Sequence, residues 1–153
     1  MLDLLGREIQ NDDFLIIASK ASVSHVMKLA KVEKIRPNGN VVASSIENDW
    51  RGFKYNRPSK ICSGEHAVFV LKRHEIPEDV LAGFIRPFER VEGRDFFNQE
   101  LVIGKDYLVA KHINNKSTLS LGTLQEIRED SLIFHDREGK RFSTTKAQRV
   151  VGI

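Results

Sequence analysis

The side chains best suited to chemistry in this sequence are cations and aromatic rings that lie close together. Residues 50–60 read WRGFKYNRPSK, in which basic residues alternate with rings. Cations neutralise phosphates, and rings or guanidinium groups stack on bases or enter a groove. The segment predicts a polyanion-binding surface formed by Trp50, Arg51, Lys54, Tyr55, Arg57 and Lys60. A second interpretation stays open, in which Trp50 and Phe53 lie in the core and the cations form its solvated rim.

Further cations stand in short polar segments of both halves of the chain. Lys20 and Lys28 lie at the two ends of SKASVSHVMK, a small polar loop. Residues 137–141, REGKR, form the tip of a predicted hairpin with three cations, although Asp136 and Glu138 reduce its net charge. The candidate contacts in the second half of the chain are Lys111, Lys116, Arg137, Lys140, Arg141 and Lys146.

The charge of the chain agrees with a polyanionic partner. The sequence has 24 Lys and Arg against 21 Asp and Glu, a net charge of +3. The excess is +4 in residues 1–73, −2 in residues 74–94 and +1 in residues 95–153. A basic excess attracts nucleic acid. An ordinary solvated surface that is slightly basic is the alternative.

The sequence lacks the residue patterns of the common catalytic sites. It contains no P-loop, GxSxG, HExxH or paired-cysteine motif, and its single cysteine, Cys62, excludes an internal disulfide. His74–Glu75 and Glu78 have the spacing of one helical turn, but a metal site there would need a further ligand. We therefore expect a protein that is not an enzyme, with no cofactor and no metal.

The two halves of the chain repeat the same order of residue types. The segment LLGREIQNDDFLIIA, 4–18, aligns with FFNQELVIGKDYLVA, 96–110. Within it, Asp13–Ile16 is matched to Asp106–Val109, because both read Asp, aromatic, Leu, aliphatic. An ordered series of matches predicts a tandem duplication.

The match continues along the chain. Three further pairs of segments correspond: 29–36 with 121–128, 53–57 with 141–145, and 60–62 with 149–153. His25 and His112 fall at nearly equivalent places in the predicted loop after the first strand of each copy. They are either two polar loop residues or a shared ligand contact.

The repeat decides the secondary structure of LAKVEKIR, 29–36. Its apolar residues recur every three positions, which suits a helix. The second copy, however, contains Gly122, and glycine is costly inside a helix. A strand with a bulge explains both copies, because a bulge resets the alternation. The predicted strands are 13–18, 26–36, 40–46, 52–57 and 60–62, then 106–112, 118–128, 131–136, 140–145 and 148–152.

These short strands, joined by polar turns, predict a mainly β fold of two small barrels. Between them, Ala67–Leu71 is predicted as a further strand and Pro77 as the start of a short helix that ends before Pro87. The buried stripe of this helix would contain Val80, Leu81, Phe84 and Ile85. The predicted domains are 1–73, a helical linker 74–94, and 95–153.

Residues 30–42 resemble a KOW element, a strand–loop–strand piece of SH3-like barrels in transcription-elongation and ribosomal proteins. A small residue, Val32, Ile35, a turn and a Val pair carry the resemblance. The second copy keeps the family's glycine as Gly122, where the first copy has Ala30. The resemblance implies two SH3-like, KOW-type barrels in tandem, which commonly contact nucleic acid or protein.

The opening segments LDLLGREI, DDFLIIA and LAKVEKI are also similar to the MotB family of early DNA-binding proteins of T4-type phages. That resemblance implies sequence-tolerant binding to double-stranded DNA, including modified phage DNA, with effects on transcription or nucleoid structure. The alternative is a protein-interaction module that docks on host transcription or translation machinery. No apolar run reaches the length of a membrane span, and the N-terminus is not a secretory signal. We expect no membrane partner and a location in the host cytoplasm or nucleoid.

Overall fold

The structure is a computed structural model that describes residues 2–21, 24–48, 54–56, 60–62, 68–82, 93–113, 116–145 and 147–153. In that part of the chain only the backbone is described at 19–21, 24–26, 45–48, 54–56, 60–62, 82, 112–113, 116 and 148.

Six strands of the first half form one antiparallel sheet. They are β1 Phe14–Ala21, β2 Ser24–Ile35, β3 Val41–Asn48, β4 Lys54–Asn56, β5 Lys60–Cys62 and β6 Val68–Leu71. The order is β4-β3-β2-β1-β6, and β5 pairs with β3 beside β4. A 3-10 turn, Arg73–Glu75, and a one-turn helix α1, Glu78–Ala82, follow.

Five strands of the second half form another antiparallel sheet. They are β7 Asp106–Ile113, β8 Lys116–Ile127, β9 Leu132–His135, β10 Arg141–Thr144 and β11 Val150–Gly152, with a 3-10 turn at Ala147–Arg149. The order is β10-β9-β8-β7-β11. The prediction of a mainly β fold is confirmed, while closure into SH3-like barrels stays a prediction.

Each sheet packs its inward side chains into a core of its own. The first core contains Ile9, Leu15, Ile17, Ala30, Val32, Val41, Ala43, Val68 and Val70. The second contains Leu101, Tyr107, Val109, Leu124, Leu132, Phe134 and Val150. Residues two apart on one strand recur in both sets, because successive side chains of a strand point to opposite faces.

The bulges predicted from the sequence are confirmed in both copies. The register between β2 and β3 shifts between Val32 and Lys34, and the register between β8 and β9 shifts between Leu124 and Glu126. The extra residue resets the alternation, which explains the three-residue spacing of the apolar side chains.

The same backbone hydrogen bonds recur in both halves, at a constant separation of 92 residues. The N–H of Asp3 donates to the carbonyl of Arg7, as the N–H of Asp95 does to Gln99. The N–H of Val32 donates to Asp13, and that of Leu124 donates to Lys105. The positive φ of Asp12, 67°, likewise recurs at Gly104, 88°. The two halves therefore correspond at a separation of 92 residues up to the ends of β2 and β8, and at 91 residues in β3 and β9.

This separation corrects the sequence match of the first strands. The match of Asp13 to Asp106 is wrong by one residue, since Asp13 occupies the place of Lys105. Phe14, Leu15, Ile16 and Ile17 are all buried. With both faces of β1 covered, the apolar pattern carries no alternation that could fix the register.

The match of the last strands is also wrong. Residues 60–62 form β5, which pairs with β3, whereas β11 pairs with β7. The counterpart of β11 is β6, which pairs with β1 in the same way. The extra strand predicted at Ala67–Leu71 is thus observed as β6, Val68–Leu71, the last strand of the first repeat.

The predicted linker helix is present as α1. Glu78 and Asp79 lie in its first turn and complement the helix dipole. The structure places Val80 and Leu81 in it, both half-buried. Phe84, Ile85 and Pro87 lie outside the described residues.

The chain divides by compactness into two units. One contains Met1–Ala18 and Lys28–Glu89, and the other contains Ser19–Met27 and Arg90–Ile153. The boundaries at residues 73 and 94 stay predictions. Within the described ranges, no helix has the length and apolar character needed to cross a membrane.

Candidate nucleic-acid interface

The strand order brings most of the predicted basic positions to one end of each sheet. This end, called the hairpin end below, is where β1 leads to β2 and β3 to β4 in the first sheet, and where β7 leads to β8 and β9 to β10 in the second. Lys54 pairs with Asn48 at this end of the first sheet. Lys116 pairs with Ile113 at the corresponding tip of the second.

Four of the predicted cations have described side chains at the hairpin end of the second sheet: Lys111, Arg137, Lys140 and Arg141. Arg137 and Lys140 are exposed in the β9–β10 turn, and Arg141 is exposed at the start of β10. Lys111 is half-buried on β7. The hairpin tip predicted from REGKR therefore presents its cations to solvent.

The acidic neighbour of this tip is engaged by its own backbone. Oδ1 of Asp136 accepts hydrogen bonds from the N–H groups of Glu138, at 2.9 Å, and Lys140, at 2.8 Å. The N–H of Gly139 donates to the carbonyl of Asp136, with Gly139 at φ 79°. Asp136 thus stabilises the turn, because its carboxylate binds backbone N–H groups of the turn itself.

Lys111 is held above an aromatic ring. Its Nζ lies 4.1 Å from the ring centroid of Phe142. That ring stacks on Phe134 with centroids 5.4 Å apart, and Phe134 contacts Tyr107 edge to face at 6.2 Å. A cation over a ring face is attracted by the ring quadrupole. The ring column therefore fixes the position of one cation of the candidate interface.

The pKa of Lys111 reflects its burial and two neighbouring charges. Burial lowers the pKa of Lys111, the attraction of Asp136 opposes this effect, and the repulsion of Lys140 adds to it, so the pKa ends below its usual value. An added phosphate would neutralise the repulsion between the two lysines. The pair is therefore suited to an anionic ligand.

Gly122 makes room for this ring column. A Cβ at position 122 would lie 2.6 Å from Cζ of Phe142 and 3.1 Å from Cβ of Phe134. The close neighbours of this glycine are side chains of the same sheet. In the first sheet Ala30 and Ala43 take the places of Gly122 and Phe134, so no such column is possible there.

Arg141 lies on the other face of β10. It pairs with His135, which pairs with Thr123. The hydrogen bond from Arg128 is the main cause of the lowered pKa of Glu126, and the charge of Arg141 contributes to it. Arg141 is therefore partly balanced by an acid of the neighbouring strand β8.

The same face carries a small cavity of about 120 Å³. It is lined by Asp106, Leu121, Gly122, Thr123, His135, Arg137 and Ile153. The Thr123 hydroxyl donates to the Asp106 carboxylate at 2.7 Å. Arg137 therefore belongs both to the β9–β10 turn and to the lining of this cavity.

The structure gives fewer details for the remaining residues that were predicted to contact nucleic acid. Lys28 is half-buried on β2. Only the backbone is described at Lys20, Lys54, Tyr55, Lys60 and Lys116, and Trp50, Arg51, Arg57 and Lys146 lie outside the described residues. Lys60 is opposite Ala43 in the middle of β3, away from the hairpin end.

The two histidines predicted to be equivalent are not. His25 lies in β2 and His112 in β7, so they belong to different strands of the repeat. The error arises because β2 begins at Ser24, earlier than predicted, and so contains His25, while His112 lies within β7, Asp106–Ile113. For the parts of the chain with described side chains, no group of three His, Cys, Asp or Glu could hold a metal ion.

Sequence reasoning missed Phe142, the residue that positions Lys111. Its signal was the pattern KRFST, in which Phe142 must face away from Arg141 and towards the core. Neither a family model nor a curated protein matches this chain. The likeness to KOW elements and to phage DNA-binding proteins accordingly rests on the residues alone.

Proposed function

We propose that this chain is a non-enzymatic protein that binds double-stranded DNA with little sequence preference. The observation that carries the proposal is the exposed set Arg137, Lys140 and Arg141, with Lys111 beside it, at the hairpin end of the second sheet. The resemblance to early phage DNA-binding proteins supports a role in transcription or nucleoid structure, in the cytoplasm or nucleoid of a host cell.

The chemistry of this surface suits phosphates more than base edges. Lysine and arginine neutralise phosphates, and phosphate contacts fix position without reading sequence. The described β9–β10 turn, residues 136–140, contains no Asn or Gln, the side chains that pair with adenine. Affinity should therefore fall with salt and vary little between sequences.

An electrophoretic shift titrated with salt tests the proposal. Wild-type protein should bind unrelated duplexes with similar affinity, and log affinity should fall linearly with log salt. Replacing Arg137 and Lys140 by glutamine should weaken binding to all duplexes alike and reduce the magnitude of the salt slope by about 2.

The matched control removes two cations from the other end of the same sheet, in Lys105→Gln with Arg128→Gln. This variant has the same net charge as the variant with Arg137 and Lys140 replaced, and it should keep most of the affinity for DNA and most of the salt slope. Equal losses in both variants would mean that only overall charge matters, which contradicts a defined interface. The absence of a shift at low salt would refute DNA binding.

A further triple variant concerns the first half of the chain. Replacing Arg51, Lys54 and Arg57 together should also weaken binding to all sequences if that cluster contributes. Unchanged affinity would exclude it as the site and leave the second sheet as the binding unit.

A protein-docking function is the second candidate, and a specific turn favours it. Val102 and Ile103 are 52% and 59% exposed, whereas the equivalent turn of the first half has Gln10 and Asn11. Exposed apolar pairs suit a protein partner better than a phosphate backbone. Serine at both positions should leave the DNA shift unchanged under the first hypothesis and abolish capture by the partner under the second.

A further inference from the structure

Two equivalent turns of the repeat carry opposite charge. The turn after β2 and the turn after β8 occupy the same place, 92 residues apart. Residues 31–38 contain three cations and one acid, Lys31, Lys34, Arg36 and Glu33. Residues 123–130 contain one cation and three acids, Arg128, Glu126, Glu129 and Asp130. The first turn is one residue longer, but the equivalent stretches carry an excess of two positive charges in one copy and two negative charges in the other.

An exposed isoleucine stands at the same position in both turns. Ile35 is 36% exposed and Ile127 is 45% exposed. Each is paired across the sheet with a buried core residue, Val41 and Leu132. The apolar core of each sheet thus reaches the surface here, within a ring of charges. Apolar centres with polar rims are typical of protein interfaces.

Some charges of these turns are already paired within their own unit. Nζ of Lys31 lies 3.3 Å from Oδ1 of Asp12, and Nε of Arg128 lies 2.8 Å from Oε1 of Glu126. The exposed cations Lys34 and Arg36 are left on one turn. Glu129 and Asp130 are exposed on the other, where Oδ1 of Asp130 accepts a hydrogen bond from the Ser131 hydroxyl at 3.4 Å.

We propose that these two surfaces bind each other between copies of this chain. The basic turn surface is Lys34, Ile35 and Arg36, and the acidic turn surface is Ile127, Glu129 and Asp130. Two basic or two acidic surfaces would repel, so the contact joins unlike surfaces. Such a contact is heterologous and extends into open chains of molecules unless the rotation closes a ring. This self-association does not depend on the proposed DNA binding.

Sedimentation velocity over a wide range of protein concentration tests the proposal. The protein is first treated with nuclease and purified at high salt, so that nucleic acid cannot bridge copies. The weight-average sedimentation coefficient should rise with concentration and fall with added salt, because exposed charge pairs are screened. A wild-type protein that stays monomeric throughout would overturn the proposal.

Charge reversal identifies the two surfaces. Lys34→Glu with Arg36→Glu, and separately Glu129→Lys with Asp130→Lys, should each weaken association by about tenfold or more, because each brings like charges together. The protein carrying all four substitutions should associate again, since the signs are complementary once more. Failure of this recovery would contradict pairing of these two surfaces and leave each to another partner.

Two further measurements keep the test decisive. Arg137→Glu with Lys140→Glu alters the net charge as much as the basic-surface reversal, but at the hairpin end, and should leave association unchanged. Far-ultraviolet circular dichroism and thermal melting check that each variant is folded. If a reversal unfolds the protein, Ile127→Ser replaces it, and undiminished association of that folded variant would count against the proposal.

Discussion

At the scale of single residues, the repeat contains two buried aspartates with the same backbone partners and different side-chain partners. Asp3 accepts hydrogen bonds from the N–H groups of Leu5, Arg7 and Val70. Asp95 accepts them from Phe97, Gln99 and Gly152. Within the described part of the chain, Asp3 has a guanidinium partner, with Nη2 of Arg7 2.7 Å from its Oδ2, and Asp95 has none.

The pKa values of the two carboxyls move in opposite directions as a result. Burial raises the pKa of Asp3, but the hydrogen bonds from Arg7, Val70 and Leu5 outweigh it, and the pKa ends below its usual 3.8. Burial raises the pKa of Asp95, and its backbone hydrogen bonds do not offset this effect. The two equivalent aspartates therefore change the free energy of unfolding in opposite directions as the pH rises.

The sign of each influence follows from linkage. The stabilisation from Asp3 is present above the unfolded pKa and is lost as the pH falls through its lower folded pKa. The contribution of Asp95 is present below the unfolded pKa and is lost as the pH rises through its higher folded pKa. We expect carboxyl-carbon chemical shifts to show Asp3 titrating below 3.8 and Asp95 above 3.8.

Exchanging the side chains at positions 7 and 99 tests whether the guanidinium of Arg7 causes the difference between the two pKa values. Gln99→Arg should lower the pKa of Asp95, and Arg7→Gln should raise that of Asp3 and destabilise the fold by about 1 kcal/mol, a small value because Arg7 is partly exposed. Denaturant unfolding at neutral pH measures the second effect. Identical titrations in wild type and variants would show that the guanidinium is not the cause.

At the scale of elements, side-chain volume distinguishes the two sheets. In the second sheet the rings of Phe134 and Phe142 stack beside Gly122. In the first sheet Ala30 takes the place of Gly122 and Ala43 takes the place of Phe134. Gly122→Ala should destabilise the protein by about 1 to 3 kcal/mol, because its Cβ would lie 2.6 Å from Phe142. Thermal or urea unfolding measures the change.

A double variant checks that Phe142 is the obstacle. Phe142→Leu removes the ring, so adding Gly122→Ala to that background should cost less than in wild type. The coupling free energy of the double-mutant cycle should then exceed about 0.5 kcal/mol. Strictly additive effects would place the strain elsewhere.

The strands illustrate how far sequence reasoning reaches. The bulge in β2 followed from comparison with Gly122, because a local rule about glycine was decisive there. The register of β1 could not be predicted, because both of its faces are buried and its side chains do not alternate between apolar and polar. The partner of β6 also escaped prediction, since its pairing with β1 joins residues far apart in the sequence. The cations of the hairpin tip were found from composition, whereas Phe142 required knowledge of which face β10 turns inward.

At the scale of the whole molecule, the cations of the proposed DNA contact and the acids of the proposed contact between copies lie at opposite ends of one strand. Arg137 and Lys140 lie in the β9–β10 turn, while Glu129 and Asp130 lie in the β8–β9 turn at the other end of β9. The separation lets one end contact a phosphate backbone while the other contacts a protein copy. The two proposals are thus compatible in a single molecule.

This arrangement predicts cooperative binding on long DNA. Wild-type protein should bind a long duplex with a steeper isotherm than a duplex short enough for one copy, because neighbouring copies add protein contacts. Glu129→Lys with Asp130→Lys should keep the affinity for the short duplex and remove the steepness on the long one. Arg137→Gln with Lys140→Gln should instead weaken binding to both lengths and retain the difference in steepness. Fluorescence anisotropy with both lengths at the same salt separates these outcomes, and equal steepness in wild type on both duplexes would show that copies bind independently.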